Sequence, residues 1–351
     1  MQPKTSRRGP RFMGAAARTK GGEAMRYPKP STAQSEAAWR ATPSLAADPC
    51  SLLRAYLETP ERVPTGIVPL DEALQGGIKQ GALAVIAGNP GAGKTALAIQ
   101  AAYHAAKSRP VLFVSGELAA KAVCFRLASL WSLENGLPVP YGSAEASAAN
   151  VRASIPSQFG GAAPQTQADY ERLMANDPMA KALLGASRAI GGRLKVIDSI
   201  HSAAEACNLA AGLASMSEPP LVFLDYLQVL SRDGAAQGQY EAITAASQGL
   251  VDLVRETGLG IVALSSTNRA TKADKGPDLE ALRGSGQIGF DADTVLFLTA
   301  DHGQEPQSDS REVVAHIIKS RSGPMAEVAL TFYPAYGAFA DPSSNPAAFR
   351  C

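Results

Sequence analysis

Gly88-Asn89-Pro90-Gly91-Ala92-Gly93-Lys94-Thr95 concentrates more chemistry than any other eight residues of this chain, and it satisfies the Gly-x-x-x-x-Gly-Lys-Ser/Thr spacing of a phosphate-binding loop. Glycines let backbone N–H groups turn inward around phosphate oxygens, and a helix N-terminus adds partial positive charge where the anion sits. Lys94 is then placed to reach the β- and γ-phosphates of a nucleotide, and the Thr95 hydroxyl to hold a Mg²⁺ ion bridging the same oxygens.

Such a loop works only between a strand and a helix, and both flanks supply them. The apolar run Leu83–Ala87 reads as a buried strand and Ala96–Ala102 as a helix. Further strands are expected at Val111–Ser115, Leu194–Asp198, Leu221–Asp225 and Ile261–Ser265, with helices over 203–216 and 240–256 between them. Alternating strands and helices give an α/β fold whose sheet is mainly parallel and twisted, with helices on both faces. The last block, 312–332, reads as an antiparallel hairpin. In such sheets ligands gather outside the carboxyl ends of the strands, which puts Glu117 and Asp225 in the crevice with Lys94. A carboxylate at Glu117 can deprotonate an attacking water, or it can be a helix N-terminal acid favoured by the dipole. Asp225, ending a continuous apolar run, has the form of an aspartate that binds Mg²⁺, and a purely structural acid is the other reading. Tyr226 stands where many ATPases carry a second carboxylate, so the water-activating group must come from elsewhere, which favours Glu117.

The composition sets bounds. A chain of 351 residues, 46% hydrophobic and 19% charged, can bury a sizeable core. No apolar run is long enough for a membrane span and no secretory leader is seen. Four scattered cysteines read as buried or incidental thiols in a reducing, cytoplasmic compartment rather than a disulfide framework or zinc site. Residues 1–62 carry eleven Lys/Arg against five Asp/Glu, a net +6 that leaves −5 for the rest. The polar segment 1–50 is therefore expected to be a basic, disordered tail, with an organelle transit peptide or a start at Met25 as other readings. The main domain is expected over 51–342, with a short helix at 51–57, and a C-terminal tail over 343–351. Residues 135–192, rich in Ala, Ser, Gly and Pro, read as a variable insertion of loops and short helices near the sheet edge, with helical spacing from Tyr170 to Leu184 and no chemistry. His316, inside an apolar strand, reads as a packed histidine.

The lead-in Pro64–Gly81 with its Gly76-Gly77 turn, the loop, Gly116-Glu117-Leu118 and Asp225-Tyr226-Leu227-Gln228 together resemble RecA-like P-loop ATPases, and most of all the C-terminal motor domain of DnaB-type replicative helicases. The likeness runs from about 62 to 340 and weakens between 135 and 190. It implies ATP and Mg²⁺ as cofactors and Glu117 as the catalytic glutamate. It also implies a polar sensor at Ser266, where the family usually has glutamine. Taken alone, Ser266 reads as a polar strand terminus. Arg283, Gly284 and Gly286 match the loop that holds single-stranded DNA in the ring's channel, with Gly284 replacing the usual glutamate; without the family this is a surface turn with one solvated Arg. Lys319-Ser320-Arg321-Ser322-Gly323-Pro324 matches the pattern whose lysine and arginine reach a neighbour's γ-phosphate; the plain reading is a solvated basic hairpin. These matches imply a head-to-tail homo-oligomeric ring, a hexamer, moving 5′ to 3′ on single-stranded DNA during replication, with a primase or loader as further partners. The helical N-terminal domain of such helicases is expected to be absent. Two rival readings remain at this stage: a RecA, RadA or KaiC-type ATPase that binds or remodels without unwinding, and a nucleotide-binding regulator that does not hydrolyse.

Overall fold

The apolar runs form strands because each can be covered on both faces. In the computed structural model, residues 61–159, 165–175, 177–225, 239–266, 277, 279, 286–300 and 309–343 are described, all within the unit Pro60–Cys351. The basic tail, the helix expected at 51–57, Arg283, Gly284 and residues 344–351 lie outside them.

A small antiparallel pair, β1 (Arg62–Val63) and β2 (Ile78–Lys79), brackets helix α1 (Val68–Ala73). Then come β3 (Leu83–Gly88), α2 (Lys94–Ala106), β4 (Val111–Ser115) and α3 (Ala120–Glu134). The stretch expected to be an insertion holds α4 (Ala144–Phe159), α5 (Gln167–Met174) and α6 (Pro178–Ile190). After these follow β5 (Leu194–Ile197), α7 (Ala203–Leu213), β6 (Leu221–Asp225), α8 (Gln239–Thr257), β7 (Ile261–Ser266), α9 (Gly286–Asp291) and β8 (Thr294–Ala300). The chain closes with β9 (Arg311–Ser320), β10 (Ala326–Tyr333) and β11 (Ala338–Ala340).

Among the described residues the main sheet has nine strands in the order β11-β10-β9-β8-β3-β7-β6-β4-β5. From β8 to β5 all neighbours are parallel, and β8 to β11 pair antiparallel, the mixed architecture expected. Side chains alternate between the faces. Leu83, Val85, Val222, Leu224, Ile261 and Ala263 join one core with Ala206 and Ala210 of α7 and Leu250 of α8. Ile86, Phe113, Phe223, Val262 and Leu264 join the opposite core with Leu97 and Tyr103 of α2 and Leu127 of α3. Phe113 and Phe223 stack with centroids 6.0 Å apart in that second layer. Register then aligns the strand ends: Gly88 pairs with Ser266, and Ser115 with Asp225.

The expected helix from Tyr170 to Leu184 is two helices. Asp177 sits in extended backbone (φ −96°, ψ 123°) before Pro178, and its side chain accepts from the Ala180 N–H. A residue preceding proline is driven out of the helical region, so α6 must start afresh there. The second of them packs on the body of the domain: Gly185 of α6 lies so close to the Trp131 ring of α3 that a Cβ would stand 2.2 Å from it. His316 is more than packed, with Nε2 2.8 Å from Thr299 Oγ1 and Nδ1 3.1 Å from Glu327 Oε1. Cys124 is exposed, and Cys207 is half-buried. No described helix is long and apolar enough to cross a membrane.

Phe223→Ala should lower stability by roughly 3–5 kcal/mol, because a fully buried ring stacked on Phe113 leaves a cavity that two packed layers cannot close. The check is a fall in the urea midpoint at unchanged slope.

Candidate nucleotide site

β3 delivers the phosphate loop to the centre of the sheet, and crowding there explains its glycines. At Gly88 (φ 147°) a Cβ would lie 2.5 Å from the Leu298 carbonyl oxygen of β8. Gly93 (φ 92°) caps α2 in the left-handed region, and a Cβ would meet the Phe339 ring at 2.6 Å. Phe339 itself is tied down by Gln100 of α2: the Gln100 Nε2 donates to its carbonyl at 2.9 Å and its N–H donates to Gln100 Oε1 at 2.7 Å. Ala92 is buried, and its N–H closes a turn onto the Asn89 carbonyl.

Inside the loop, Lys94 Nζ donates to the carbonyls of Gly88 (2.9 Å) and Asn89 (3.1 Å). Burial pulls its ammonium below the usual lysine range, while Asp225 and then Glu117 pull it back up. Thr95 Oγ1 donates to Asp225 Oδ1 at 3.2 Å. The other oxygen, Oδ2, is buried with no hydrogen-bond partner among the described residues. Burial, helped by Glu117, pushes the Asp225 carboxyl up to about 6, against the Thr95 hydrogen bond and the charges of Lys94 and Arg126. A hydroxyl and a half-partnered carboxylate side by side, both facing a cleft, suit a hard divalent cation with oxygen ligands such as Mg²⁺.

That cleft, of about 530 Å³, is bordered by the loop, Glu117, Asp225 and Ser266, so these residues come together as the sequence implied. Four side chains join them that sequence reading missed: Arg126, Tyr141, Arg311 and Phe332. Arg126, two turns into α3, sets its guanidinium over the Tyr141 ring at 4.3 Å, and its Nε is buried without a partner among the described residues. Arg311, the first residue of β9, donates to the Gly91 carbonyl and stacks on Phe332 at 4.8 Å. Tyr141 comes from the stretch expected to carry no chemistry. Only the spacing of Arg126, nine residues after Glu117 on a helix leaving the same strand end, could have pointed to it.

Lys319 and Arg321 do not border this cleft. Lys319, near the end of β9, has its Nζ donating to the carbonyls of Gly289 (2.9 Å) and Phe290 (2.6 Å). Arg321, one residue past the strand rather than within it, donates to Asp293 Oδ1 and to the Phe290 carbonyl, each at 3.2 Å. Gly286 opens α9, directly after the segment that holds Arg283 and Gly284.

A strand-loop-helix phosphate cradle at the centre of a mainly parallel sheet, facing Asp225 and Glu117, defines a RecA-like P-loop nucleotide-binding domain. Within that class, residues 63–209 match the ATPase family KaiC and residues 176–341 match the DnaB-like helicase C terminal domain, so the likeness to DnaB-type motor domains is borne out. The replicative DNA helicase DnaB of Treponema pallidum is 30% identical over 79% of this chain and 55% of its own length. The replicative DNA helicase DnaC of Bacillus subtilis is 26% identical over 79% of the chain and 56% of its length. The chain thus spans about half the length of these relatives. Among solved structures, one ATPase domain superimposes with a TM-score of 0.66 at 24% identity, over 86% of this chain and 99% of that one. A DnaB-like replicative helicase studied with primase gives 0.65 at 23%, over 88% and 71%. Both share the fold.

Asp225→Asn should stabilise the protein when nucleotide and Mg²⁺ are absent. The parent's folded state holds the Asp225 proton more tightly than the unfolded chain does, so the parent loses stability as pH rises from about 4 through 6. The variant's advantage should therefore vanish near pH 4 and level off above pH 7 at something on the order of 3 kcal/mol. Thermal melts across that range read it directly; an advantage independent of pH would mean that the carboxylate is not buried as ionised.

Proposed function

We propose that this chain is the ATP-hydrolysing motor part of a DnaB-type replicative helicase, acting in the cytoplasm as a ring, a hexamer, that moves on single-stranded DNA. The observation that carries the reading is the meeting of Lys94, the Thr95–Asp225 pair and Glu117 around one cleft. Lys94 exchanges its two loop carbonyls for the β- and γ-phosphate oxygens. Thr95 and Asp225 would hold a Mg²⁺ ion, which would supply neutralisation of phosphate charge. Glu117 takes the proton of the attacking water. Ser266 senses the γ-phosphate from the end of β7, with a shorter reach than glutamine.

Lys319 and Arg321, absent from their own cleft, complete the cleft of the next protomer. A site that needs its neighbour requires head-to-tail assembly, which closes into a ring when the rotation permits. Arg283, Gly284 and Gly286 grip the DNA backbone without reading bases. Primase is a candidate partner because the DnaB-like helicase of similar fold is described in interaction with it. The match of 176–341 to the helicase domain favours this reading over a KaiC-type ATPase that does not unwind. Unwinding of a forked duplex, run beside DNA-stimulated hydrolysis, separates the two.

Lys94→Ala should abolish turnover. Arg321→Ala should also lower it, by a factor of about 10³ or more, while nucleotide affinity stays near the parent's, since the guanidinium meets charge that develops in the neighbour's transition state. Fluorescent-nucleotide titration and steady-state hydrolysis together decide it, and parental turnover in the Arg321 variant removes the shared site. Arg283→Ala should weaken single-strand binding and flatten its salt dependence by about one ion, with basal hydrolysis retained. Filter binding across a salt series measures this.

A further inference from the structure

Asp293 occupies the tight turn between α9 and β8, and four hydrogen bonds converge on it. Its N–H donates to the Leu83 carbonyl at 2.8 Å, and its Oδ2 accepts from the Leu83 N–H at 3.0 Å. Its carbonyl accepts from the Arg321 N–H at 2.9 Å, and its Oδ1 accepts from Arg321 Nη1 at 3.2 Å. Leu83 is buried and begins β3, the strand that ends in the phosphate loop. The Arg321 side chain is half-exposed and the Asp293 side chain a quarter exposed. An ion pair that open to water contributes little to stability. What it does is geometric: backbone and side chain of Arg321 are held by one residue, and the second guanidinium nitrogen reaches the Phe290 carbonyl that Lys319 also uses.

We infer that Asp293 is a positioning residue for Arg321, fixing the guanidinium that reaches the neighbour's phosphates and linking it to the first residue of the strand that carries this protomer's own loop. The inference rests on the neighbour-completed site of the proposed function. Preset orientation matters because a displacement of about 1 Å in a group that meets the transition state costs up to about a hundredfold in rate.

Asp293→Asn keeps an acceptor for the Leu83 N–H but turns an amide toward Arg321. Turnover should fall about 10- to 100-fold with ATP-analogue affinity unchanged. In a one-to-one mixture with Lys94→Ala protomers, hydrolysis should return, because about a quarter of the interfaces then join an intact cleft to an intact Arg321 and Asp293. A mixture of Arg321→Ala with Lys94→Ala is the control. Recovery in the control without recovery for Asp293→Asn, or parental turnover in the variant alone, overturns the inference. No recovery in either mixture overturns the neighbour-completed site, and the inference falls with it. Should the Asn variant not bind the analogue, Asp293→Ser, which replaces the carboxylate with one shorter hydroxyl near Leu83 and nothing reaching Arg321, takes its place under the same outcomes.

Discussion

A carboxylate buried with one oxygen satisfied and the other bare is an expensive thing to build, and Asp225 is such a group. Its position follows from register. β6 is covered on both faces, pairs in parallel with β4 and β7, and ends where β3 turns into the loop, so its last residue cannot avoid facing Thr95. The folded chain tolerates that cost because the two layers of apolar side chains on either face of the sheet are complete. A cation and a triphosphate would supply what the carboxylate lacks, which makes the unliganded domain poised toward binding.

Much of this is readable from local pattern. The strands β3, β4, β6 and β7 that end at the site are short apolar runs bounded by polar, proline or glycine residues, and the phosphate loop is specified by residues adjacent in sequence. Glu117 and Asp225 are legible because strand ends in a parallel sheet share one edge. Arg126, Tyr141, Arg311 and Phe332 are not, since each reaches the cleft from a separate element and only tertiary packing brings them to one place. The break at Asp177-Pro178 is a local signal that the periodicity masks: the 3.6-residue spacing continues across it, and the proline rule outranks the spacing. Arg283 and Gly284 lie outside the described residues, so the DNA-binding role proposed for them rests on the family likeness alone.

On the proposed reading, two halves of the chemistry lie apart within one chain. The phosphate loop, Asp225 and Glu117 gather at one cleft, whereas Lys319 and Arg321 are lodged on the carbonyls at the end of α9 and on Asp293. Under the proposed function, drawing those two cations toward another protomer would release the Gly289 and Phe290 carbonyls of α9 and the Asp293 carboxylate.

The clamp between Gln100 and Phe339 spans 239 residues of chain, and the Phe339 ring is what occupies the space at Gly93. On a ribosome the eight loop residues emerge well before the aromatic wall behind them, since Gln100 and Phe339 are 239 residues apart. A nascent chain therefore carries the phosphate-binding signature before the wall behind Gly93 has been made.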